Sequence, residues 1–437
     1  MSARRRIVLA TAWHPPHHLG GTEVYVAGLA RELARRGFDC RVLAPRAQGA
    51  PPSYEYEGVR VDTYPEPTAP QATDAERETF RRLLGEDGDV IYHQHAWTRG
   101  CGPLHLRIAR AHGLATALTL HTAGALCLRG TMRRFGRSAC DGRIDARDCA
   151  MCWAMGRGAS PLLARMLGHA PMPVARALRG VGHRAATALA APAIAEEKAT
   201  ALRALFADSD RIVAVCGWLH AALALNGAPV DKLHLCRHGL PDDFIAAARA
   251  APAPAAEGPL NLVYLGRWDR AKGVDVAVDA VRALPPEVDA RLTIHAPSGE
   301  DAYERETRAR SAGDPRIVFA APLARDHLAQ AFGGYHALLA PSLGLETGPL
   351  VVLEAQAAGV FVLGSRLGGV AELVAANGSG ELLAPGDTAA WSAAIARLAE
   401  RRRAGALARV PARVRSMADV AADTAAMYEG LRARAAA

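Results

Sequence analysis

The sequence lacks the features that define several large classes of protein. Aromatic residues make up 5% of the 437 residues, and there is no basic stripe with aromatic residues between its cations, so nucleic acid is not an expected partner. No uncharged apolar run approaches the roughly twenty residues that a membrane-spanning helix needs, and the longest candidate, 185–195, contains Pro192. The apolar stretch after Arg6 stops at His14, too early for a signal peptide. The expected location is therefore the cytoplasm.

The residues that are present suffice for two packed domains. Half of them are apolar and 22% are charged, a balance typical of globular rather than disordered proteins. The length is about three times that of an ordinary domain. The net charge of +8 favours anionic partners such as nucleotides or acidic lipid headgroups, although a basic surface that only keeps the protein dissolved explains it equally well.

Apolar, β-rich segments alternate with Ala-, Leu- and Arg-rich helical segments along the whole chain. The predicted strands are 7–11, 42–44, 59–64, 90–93, 116–121 and 212–215, followed by 261–265, 291–295, 317–320, 337–340 and 361–364. Repeated strand–helix–strand units predict parallel sheets that are covered on both faces. The predicted fold class is therefore α/β, with two Rossmann-like, doubly wound domains.

Composition predicts where the two domains divide. Strand and helix patterns give way to alanine and proline in 246–259, as is typical of linkers. We expect an amino-terminal domain at 1–248, a second domain at 258–415, and a last helix within 416–437 that could pack on either domain. Two such domains would face each other across a cleft at the carboxyl ends of their sheets, where ligands of this fold class bind. The segment 156–206 is expected to be a helical insertion of unassigned role.

Two carboxylates, Glu346 and Glu354, lie eight positions apart on either side of a Gly-Pro turn. A helix that starts near Gly348 or Pro349 and continues through Leu350 has Glu354 about one and a half turns in. Its N-terminal N–H groups would attract a diphosphate, and the acids would accept hydrogen bonds from sugar hydroxyls. A sugar nucleotide suits this arrangement. The alternative is that Glu346 stabilises the helix end electrostatically and Glu354 is only solvated.

Two further candidate sites lie in the first domain. Gly20 and Gly21 stand where a loop enters an amphipathic helix, and glycine there allows close approach of a phosphate, although a simple turn is the alternative. The G-x-G-x-x-G fingerprint of dinucleotide enzymes is absent from this loop. His121 ends a predicted strand at the carboxyl edge of the sheet, where an active-site role competes with that of a buried structural histidine.

A loop after the linker contains Arg267 and Lys272 between two glycines. The guanidinium fork of an arginine and the point charge of a lysine can grip a diphosphate from two sides, and they would neutralise its charge without a metal. An ordinary exposed loop is the alternative.

Four of the eight cysteines cluster directly after His121. They are Cys127, Cys140, Cys149 and Cys152, the last two as Cys-x-x-Cys. Four thiolates can close a tetrahedral zinc site that braces a loop, and a cytosolic location argues against disulfides. The spacing is looser than in a double Cys-x-x-Cys motif, so unligated thiols remain the alternative.

Together these segments resemble family 4 of the retaining glycosyltransferases, nucleotide-sugar enzymes whose two-domain fold is called GT-B. The likeness covers nearly the whole chain. It rests on GGTE at 20–23, His121, the pairs Gly266-Arg267 and Lys272-Gly273, the Glu-x7-Glu pair Glu346 and Glu354, and GG-x-x-E at 368–372. The histidine with a cysteine-rich loop after it resembles a subset found among enzymes of cell-surface polysaccharide synthesis.

The resemblance implies a role for each matched residue. Arg267 and Lys272 would hold the donor diphosphate, Glu354 the nucleotide ribose and Glu346 the donor sugar. Backbone groups of 348–350 would complete the pocket, and His121 would orient the sugar. The implied reaction is a metal-independent, retaining transfer from a nucleoside diphosphate sugar to a glycan or lipid-linked acceptor, with peripheral contact to an anionic membrane as an option.

Two positions depart from the family pattern. Thr122 stands where an Asp commonly follows the histidine, and His238 replaces the usual Asn before Gly239. Two other functions stay open, namely a sugar-nucleotide epimerase on the same fold and a non-catalytic protein that binds a nucleotide sugar or glycan.

Overall fold

The computed structural model describes residues 5–66, 73–85, 89–255 and 257–431. The chain forms two compact units. The first contains Met1–His238 together with Met417–Ala437, and the second contains Gly239–Ser416. The chain thus passes from the first unit to the second at His238 and back after Ser416.

The first unit is built on an eight-stranded sheet of order β10-β9-β6-β5-β1-β2-β4-β3. All its pairings are parallel except that of β3 with β4. A separate hairpin is formed by β7 and β8. The strands are β1 (Arg6–Ala10), β2 (Asp39–Pro45), β3 (Ser53–Tyr56), β4 (Val59–Tyr64), β5 (Val90–Gln94), β6 (Ala115–Leu120), β7 (Arg133–Arg134), β8 (Ser138–Ala139), β9 (Arg211–Ala214) and β10 (Leu233–Leu235).

Helices connect these strands. They are α1 (Gly21–Arg35), α2 (Asp74–Leu84), α3 (Pro103–Ala111), α4 (Ala146–Gly156), α5 (Pro161–Gly168), α6 (Met172–Ala177), α7 (Arg184–Asp208) and α8 (Gly217–Leu225). The expected insertion 156–206 therefore consists of α5, α6 and most of α7, and α7 contains Pro192. All six residues of β6 are buried, as expected of a central strand that is covered on both faces.

The second unit has a six-stranded, fully parallel sheet of order β13-β12-β11-β14-β15-β16. Its elements are α9 (Asp242–Ala250), β11 (Leu260–Leu265), α10 (Val274–Arg282), β12 (Ala290–His295), α11 (Ala302–Arg310), β13 (Ile317–Ala320), α12 (Arg325–Ala331), β14 (Ala337–Ala340), α13 (Leu350–Ala357), β15 (Phe361–Ser365), α14 (Gly368–Asn377), β16 (Gly380–Leu383) and α15 (Thr388–Arg403). The last helix, α16 (Met417–Glu429), belongs to the first unit, where Met417, Val420 and Tyr428 join the core under α1.

Alternating side chains of the second sheet enter two different cores. Leu262 of β11 and Leu339 of β14 pack with the residues of α10 and α15. Their neighbours Val263 and Leu338 pack with those of α9, α13 and α14. Because successive strand residues point to opposite faces, helices cover both faces of this sheet. Together with the solved structures described below, this confirms the predicted α/β class with Rossmann-like domains.

The division between the units differs from the predicted one. Helix α9, which was assigned to the first domain, packs Phe244 and Ile245 into the core of the second unit. The alanine- and proline-rich segment is also tied to that unit, since Arg409 donates to the carbonyl of Ala251 and Arg402 to that of Ala255. The composition change marks the start of the proline-rich stretch, but the second unit already begins at Gly239, before α9. The predicted boundary therefore lies too far towards the C-terminus.

None of the helices in the described ranges is both long and apolar enough to cross a membrane.

Candidate functional site

The second sheet has a topological switch point between β11 and β14. From β11 the chain proceeds outward to β12 and β13, and it then returns to β14 and builds the sheet in the other direction through β15 and β16. Ligands of doubly wound sheets bind at such a point, outside the carboxyl ends of the strands. The loops that follow β11 and β14 contain most of the residues selected from the sequence in this half of the chain.

These two loops touch through their backbones. The N–H groups of Leu343 and Gly344 donate to the carbonyl of Ala271, over 2.7 and 3.1 Å. Gly273 has a φ of +69°, and a Cβ atom there would lie 2.1 Å from the carbonyl oxygen of Pro341. Glycine is therefore required at position 273 both for its left-handed backbone and for the close approach.

Replacing Gly273 with alanine is expected to separate the two loops. The left-handed conformation alone costs an alanine about 1–2 kcal/mol, and the overlap with Pro341 adds to it. We expect a lower melting temperature and a weaker affinity for any ligand bound by these loops, measured by thermal unfolding with and without ligand. Gly313→Ala is the matched control, because Gly313 has a φ of +83° with nothing within 4 Å of its Cβ position. Equal losses in both variants would mean that the loop contact is unimportant.

The contact brings Lys272 and Glu346 together. The Nζ atom of Lys272 donates to Oε1 and Oε2 of Glu346 over 2.7 and 2.8 Å, and the Ser342 hydroxyl donates to Oε1 over 2.7 Å. The side chains of Lys272 and Glu346 are 27% and 18% exposed. A cation and a carboxylate therefore lie side by side at the switch point, each within reach of solvent and of a polar ligand.

The loop of Glu346 continues into helix α13. Gly348, with a φ of 129°, precedes Pro349, which caps the helix without a side-chain hydrogen bond. The helix begins at Leu350, close to the predicted start. On the other side the N–H of Gly369 donates to the carbonyl of Glu346 over 2.6 Å. Backbone contacts thus fix this loop beside a helix N-terminus, which favours anions.

Glu354 is buried in α13 and is paired with an arginine that sequence analysis missed. The Nη1 atom of Arg325, at the start of α12, donates to Oε1 of Glu354 over 3.0 Å. Burial raises the pKa of Glu354, and Arg325 opposes that rise. The solvated carboxylate considered as an alternative is therefore wrong, since Glu354 is only 4% exposed.

Arg267 lies in the loop after β11 and is exposed. The Tyr264 hydroxyl donates to its backbone carbonyl over 3.0 Å, so the backbone is fixed while the guanidinium faces solvent. Ser342 was also missed, although its place in the same short loop as Glu346 was a usable signal.

In the first unit, His121 is the middle member of a row of three histidines, of which His95 and His121 are buried and His238 is partly buried. Nδ1 of His95 lies 3.1 Å from Nε2 of His121, and Nδ1 of His121 lies 3.3 Å from Nε2 of His238. The ring of Tyr25 packs against all three imidazoles. His95 follows β5 directly, as His121 follows β6, so its position at the sheet edge could have been inferred from the sequence.

His95 and His121 are held neutral. Burial lowers the pKa of His121 well below its usual range, and His238 and His93 lower it further. Burial and the neighbouring imidazoles do the same to the pKa of His95. A neutral imidazole has one donor and one acceptor nitrogen, so the row can be bonded in one direction at a time. The tautomer of His121 is therefore coupled to the tautomers of His95 and His238.

Gly20 and Gly21 lie at the start of α1, as predicted from the sequence. Gly20 is the extended N-cap residue, with a φ of −145°, and Gly21 is the first helical residue. The buried carboxylate of Glu23 occupies the space beside Gly20, because a Cβ there would overlap Oε2 of Glu23. An acid in the first turn stabilises the helix end.

The four clustered cysteines line a single cavity of about 140 Å³. As the side chains stand, no three His, Cys, Asp or Glu residues in the described ranges are grouped so that they could hold a metal ion. The zinc site thus stays a prediction.

Comparison with known proteins assigns families to parts of both units. Residues 19–147 match the family described as Glycosyltransferase Family 4. Residues 259–401 match the family described as Glycosyl transferases group 1. The second match contains Arg267, Lys272, Glu346 and Glu354, and the first contains Gly20 and His121.

Individual proteins agree with these matches. The D-inositol 3-phosphate glycosyltransferase of Nocardia farcinica is 28% identical over 87% of this chain and 77% of its own length. Its namesake from Stackebrandtia nassauensis is 36% identical, but the match spans only 44% of this chain and 46% of that relative. Among solved structures, Anabaena HepE in complex with UDP and glucose has a TM-score of 0.61 at 14% identity, over 98% of this chain and 100% of HepE.

Proposed function

We propose that this chain, which is a glycosyltransferase by its two family domains, transfers a sugar from a nucleoside diphosphate donor to an acceptor hydroxyl with retention of configuration. The observation that carries the proposal is the pairing of Lys272 with Glu346 at the switch point of the second sheet, beside the start of α13. The cation and the N–H groups at the helix start can bind the anionic diphosphate, and the carboxylate can accept hydrogen bonds from the hydroxyls of the sugar. The solved structure of HepE with UDP and glucose supports this class of donor.

The proposed reaction exchanges one bond for another at the anomeric carbon. The bond to the β-phosphate oxygen breaks, and a bond to the acceptor oxygen forms on the same face. The acceptor proton passes to the leaving phosphate. Negative charge that develops on this phosphate would be stabilised by Arg267, Lys272 and the backbone N–H groups at the start of α13. We propose that these groups supply the positive charge in place of a divalent metal, so that transfer continues in the presence of EDTA.

Other residues of the second unit would bind parts of the donor that do not react. We propose that Glu354 accepts hydrogen bonds from the ribose hydroxyls and that Glu346 holds the sugar, while 348–350 contact the phosphates. The pairing of Glu354 with Arg325 supports the first assignment, because the arginine compensates a buried carboxylate and fixes its orientation. His121 is proposed to orient the reacting sugar.

The donor site is tested by alanine substitution at Glu354 and Arg267. Each change is expected to weaken donor binding about tenfold or more, since a hydrogen bond with a charged partner is worth about 1.5–3 kcal/mol. Titration calorimetry against a panel of nucleoside diphosphate sugars would measure it and would also identify the donor. Arg291→Ala is the control, because Arg291 is also an exposed arginine but lies near the amino end of β12, away from the carboxyl ends of the strands where the donor is proposed to bind. Unchanged affinity and transfer in both Glu354→Ala and Arg267→Ala would show the assignment to be wrong.

The acceptor is proposed to be a glycan or a lipid-linked glycan of the cell surface, reached by a cytoplasmic enzyme at the inner face of an anionic membrane. The loop with four cysteines supports this through its resemblance to polysaccharide enzymes.

The names of the bacterial relatives favour a second acceptor, an inositol phosphate. Nucleotide release with each acceptor class separates the two, and a binding protein without turnover would release none. An epimerase would convert the donor sugar without any acceptor.

A further inference from the structure

The cysteine-rich loop of the first unit converges on one cavity from three local elements. Cys127 follows the 3₁₀ turn Ala123–Ala125, Cys140 follows β8, and Cys149 and Cys152 lie on α4. All four side chains line the cavity of about 140 Å³. Because Cys149 and Cys152 are three positions apart, they share one face of the helix.

This loop has little apolar material to hold it in place. Between Cys127 and Asp145, Met132 is the one buried apolar side chain that the structure describes. The hairpin of β7 and β8 has only two residues in each strand. A segment with so small a core would gain stability from a cross-link or a metal, and the cysteines are free thiols.

Hydrogen-bond donors or cations lie near three of the four sulfur atoms, while burial raises the pKa of Cys140 and Cys149. The N–H of Phe135 donates to Sγ of Cys152 over 3.2 Å, and Nη1 of Arg129 lies 3.8 Å from the same atom. Lys198, on α7, interacts electrostatically with Cys127 and Cys149. Backbone donors and nearby cations of this kind stabilise and orient thiolate ligands of a metal.

The carboxylates around the cavity are committed to other partners. Asp145 caps α4 by accepting from the N–H of Asp148 over 2.8 Å. Asp148 is paired with Arg134 at 2.5 Å, and Asp141 accepts from the N–H of Arg143 over 3.1 Å. Oδ1 of Asp141 also lies 3.9 Å from Sγ of Cys140, so these carboxylates are engaged within the loop itself. A set of four thiolates selects a soft or borderline metal.

We propose that this cavity binds one zinc ion through Cys127, Cys140, Cys149 and Cys152, and that the ion ties the hairpin of β7 and β8 to α4. The thiols are spread over the cavity wall and turn inward on binding. Each of the four sulfur atoms forms a bond to zinc and releases one proton to solvent, which leaves a centre of charge −2 that Arg129 and Lys198 offset. The ion braces the loop and takes no part in sugar transfer.

The test is the metal content of the full chain after expression with added zinc. We expect about one zinc per chain by elemental analysis, which is the content of a closed tetrathiolate site, and loss of that zinc in Cys149→Ser. The control is Cys40→Ser, which removes a half-buried thiol of β2 outside the cavity and should retain the metal.

A second measurement uses the unaltered chain and does not depend on the folding of a variant. Replacement of zinc by cobalt should give the intense thiolate-to-cobalt charge-transfer absorption and the visible bands of tetrahedral cobalt. The proposal is overturned if the wild-type chain binds neither metal, if Cys40→Ser loses zinc to the same extent as Cys149→Ser, or if the chain is isolated with iron and sulfide instead. None of these readouts uses transferase activity, so they fail or succeed independently of the proposed reaction.

Discussion

Replacing Lys272 with methionine is expected to lower the turnover number for sugar transfer about 10²- to 10³-fold, the usual effect of removing one preorganised electrostatic contact to a transition state. Methionine keeps most of the length and apolar stem of the side chain but removes the charge. Negative charge on the leaving phosphate would then be met by Arg267 and backbone N–H groups alone. Because this charge grows as the bond breaks, the loss should fall more on turnover than on donor affinity.

The neighbouring turn offers a matched control for this substitution. Arg270 lies two residues away on the same 3₁₀ turn, is exposed, and is paired with Glu306 at 2.6 Å. Arg270→Met removes the same unit of positive charge from the same loop, so a general effect of net charge would appear in both variants. We expect less than about a twofold change in turnover for Arg270→Met, because exposed ion pairs contribute little.

Lys272→Arg adds a test of geometry. Arginine keeps the charge but is longer and spreads it over a planar fork, so the charge would no longer be concentrated where the compact ammonium of Lys272 lies beside Glu346. We expect partial activity between that of the wild type and that of Lys272→Met. Full activity of Lys272→Met, with transfer measured as nucleotide released, would contradict the proposed role of this lysine.

Much of this site was accessible from the sequence because its parts are local. The loops that follow β11 and β14 each combine an apolar strand, glycines and charged side chains within a few residues, and the strand order brings their ends together. The partner of Glu354 was not accessible. Arg325 is one of 52 basic residues and lies 29 positions away, and its place depends on how α12 packs beside α13.

Three of the five described strands that were not predicted share a physical origin. Strands β3, β10 and β16 have three or four residues and lie at the ends of their sheets. Each of the three contains polar or small residues and therefore lacks the continuous apolar run by which a buried strand is recognised. The boundary between the units was misplaced because α9 is short and amphipathic. Its sequence predicts an apolar face, but only the structure shows which unit's core that face packs into.

Acidification is expected to destabilise the first unit at a pH well above the range in which aspartate and glutamate side chains ordinarily become protonated. Burial lowers the pKa of His93 from 6.5 to about 3, that of His105 to about 4, and that of His14 to about 4, the last partly offset by the Pro15 carbonyl. Each is neutral in the folded chain at pH 5, whereas the unfolded chain binds a proton at each once the pH falls below 6.5. Stability is therefore present above pH 6.5 and declines as the pH falls toward the folded pKa values.

The expected loss is large relative to the stability of a domain. One pKa unit corresponds to about 1.4 kcal/mol. Because the unfolded imidazole is half protonated at pH 6.5, each of these histidines removes about 1.5 kcal/mol from the free energy of unfolding between pH 6.5 and pH 5. Three of them together approach the 5–15 kcal/mol that is typical of a whole domain. Urea denaturation followed by circular dichroism between pH 8 and pH 5 would measure the decline.

Two glutamine variants test whether the burial of a histidine causes this loss of stability at low pH. His105 accepts a hydrogen bond from the N–H of Gly102 at the start of α3, over 3.2 Å, and glutamine at this helix position can make the same bond without titrating. His105→Gln should flatten the pH dependence by up to one proton, or about 1.4 kcal/mol per pH unit. His169→Gln, at an exposed histidine that follows α5, is the matched control for the substitution itself. A profile that His105→Gln leaves unchanged would mean that this imidazole is protonated in the folded chain.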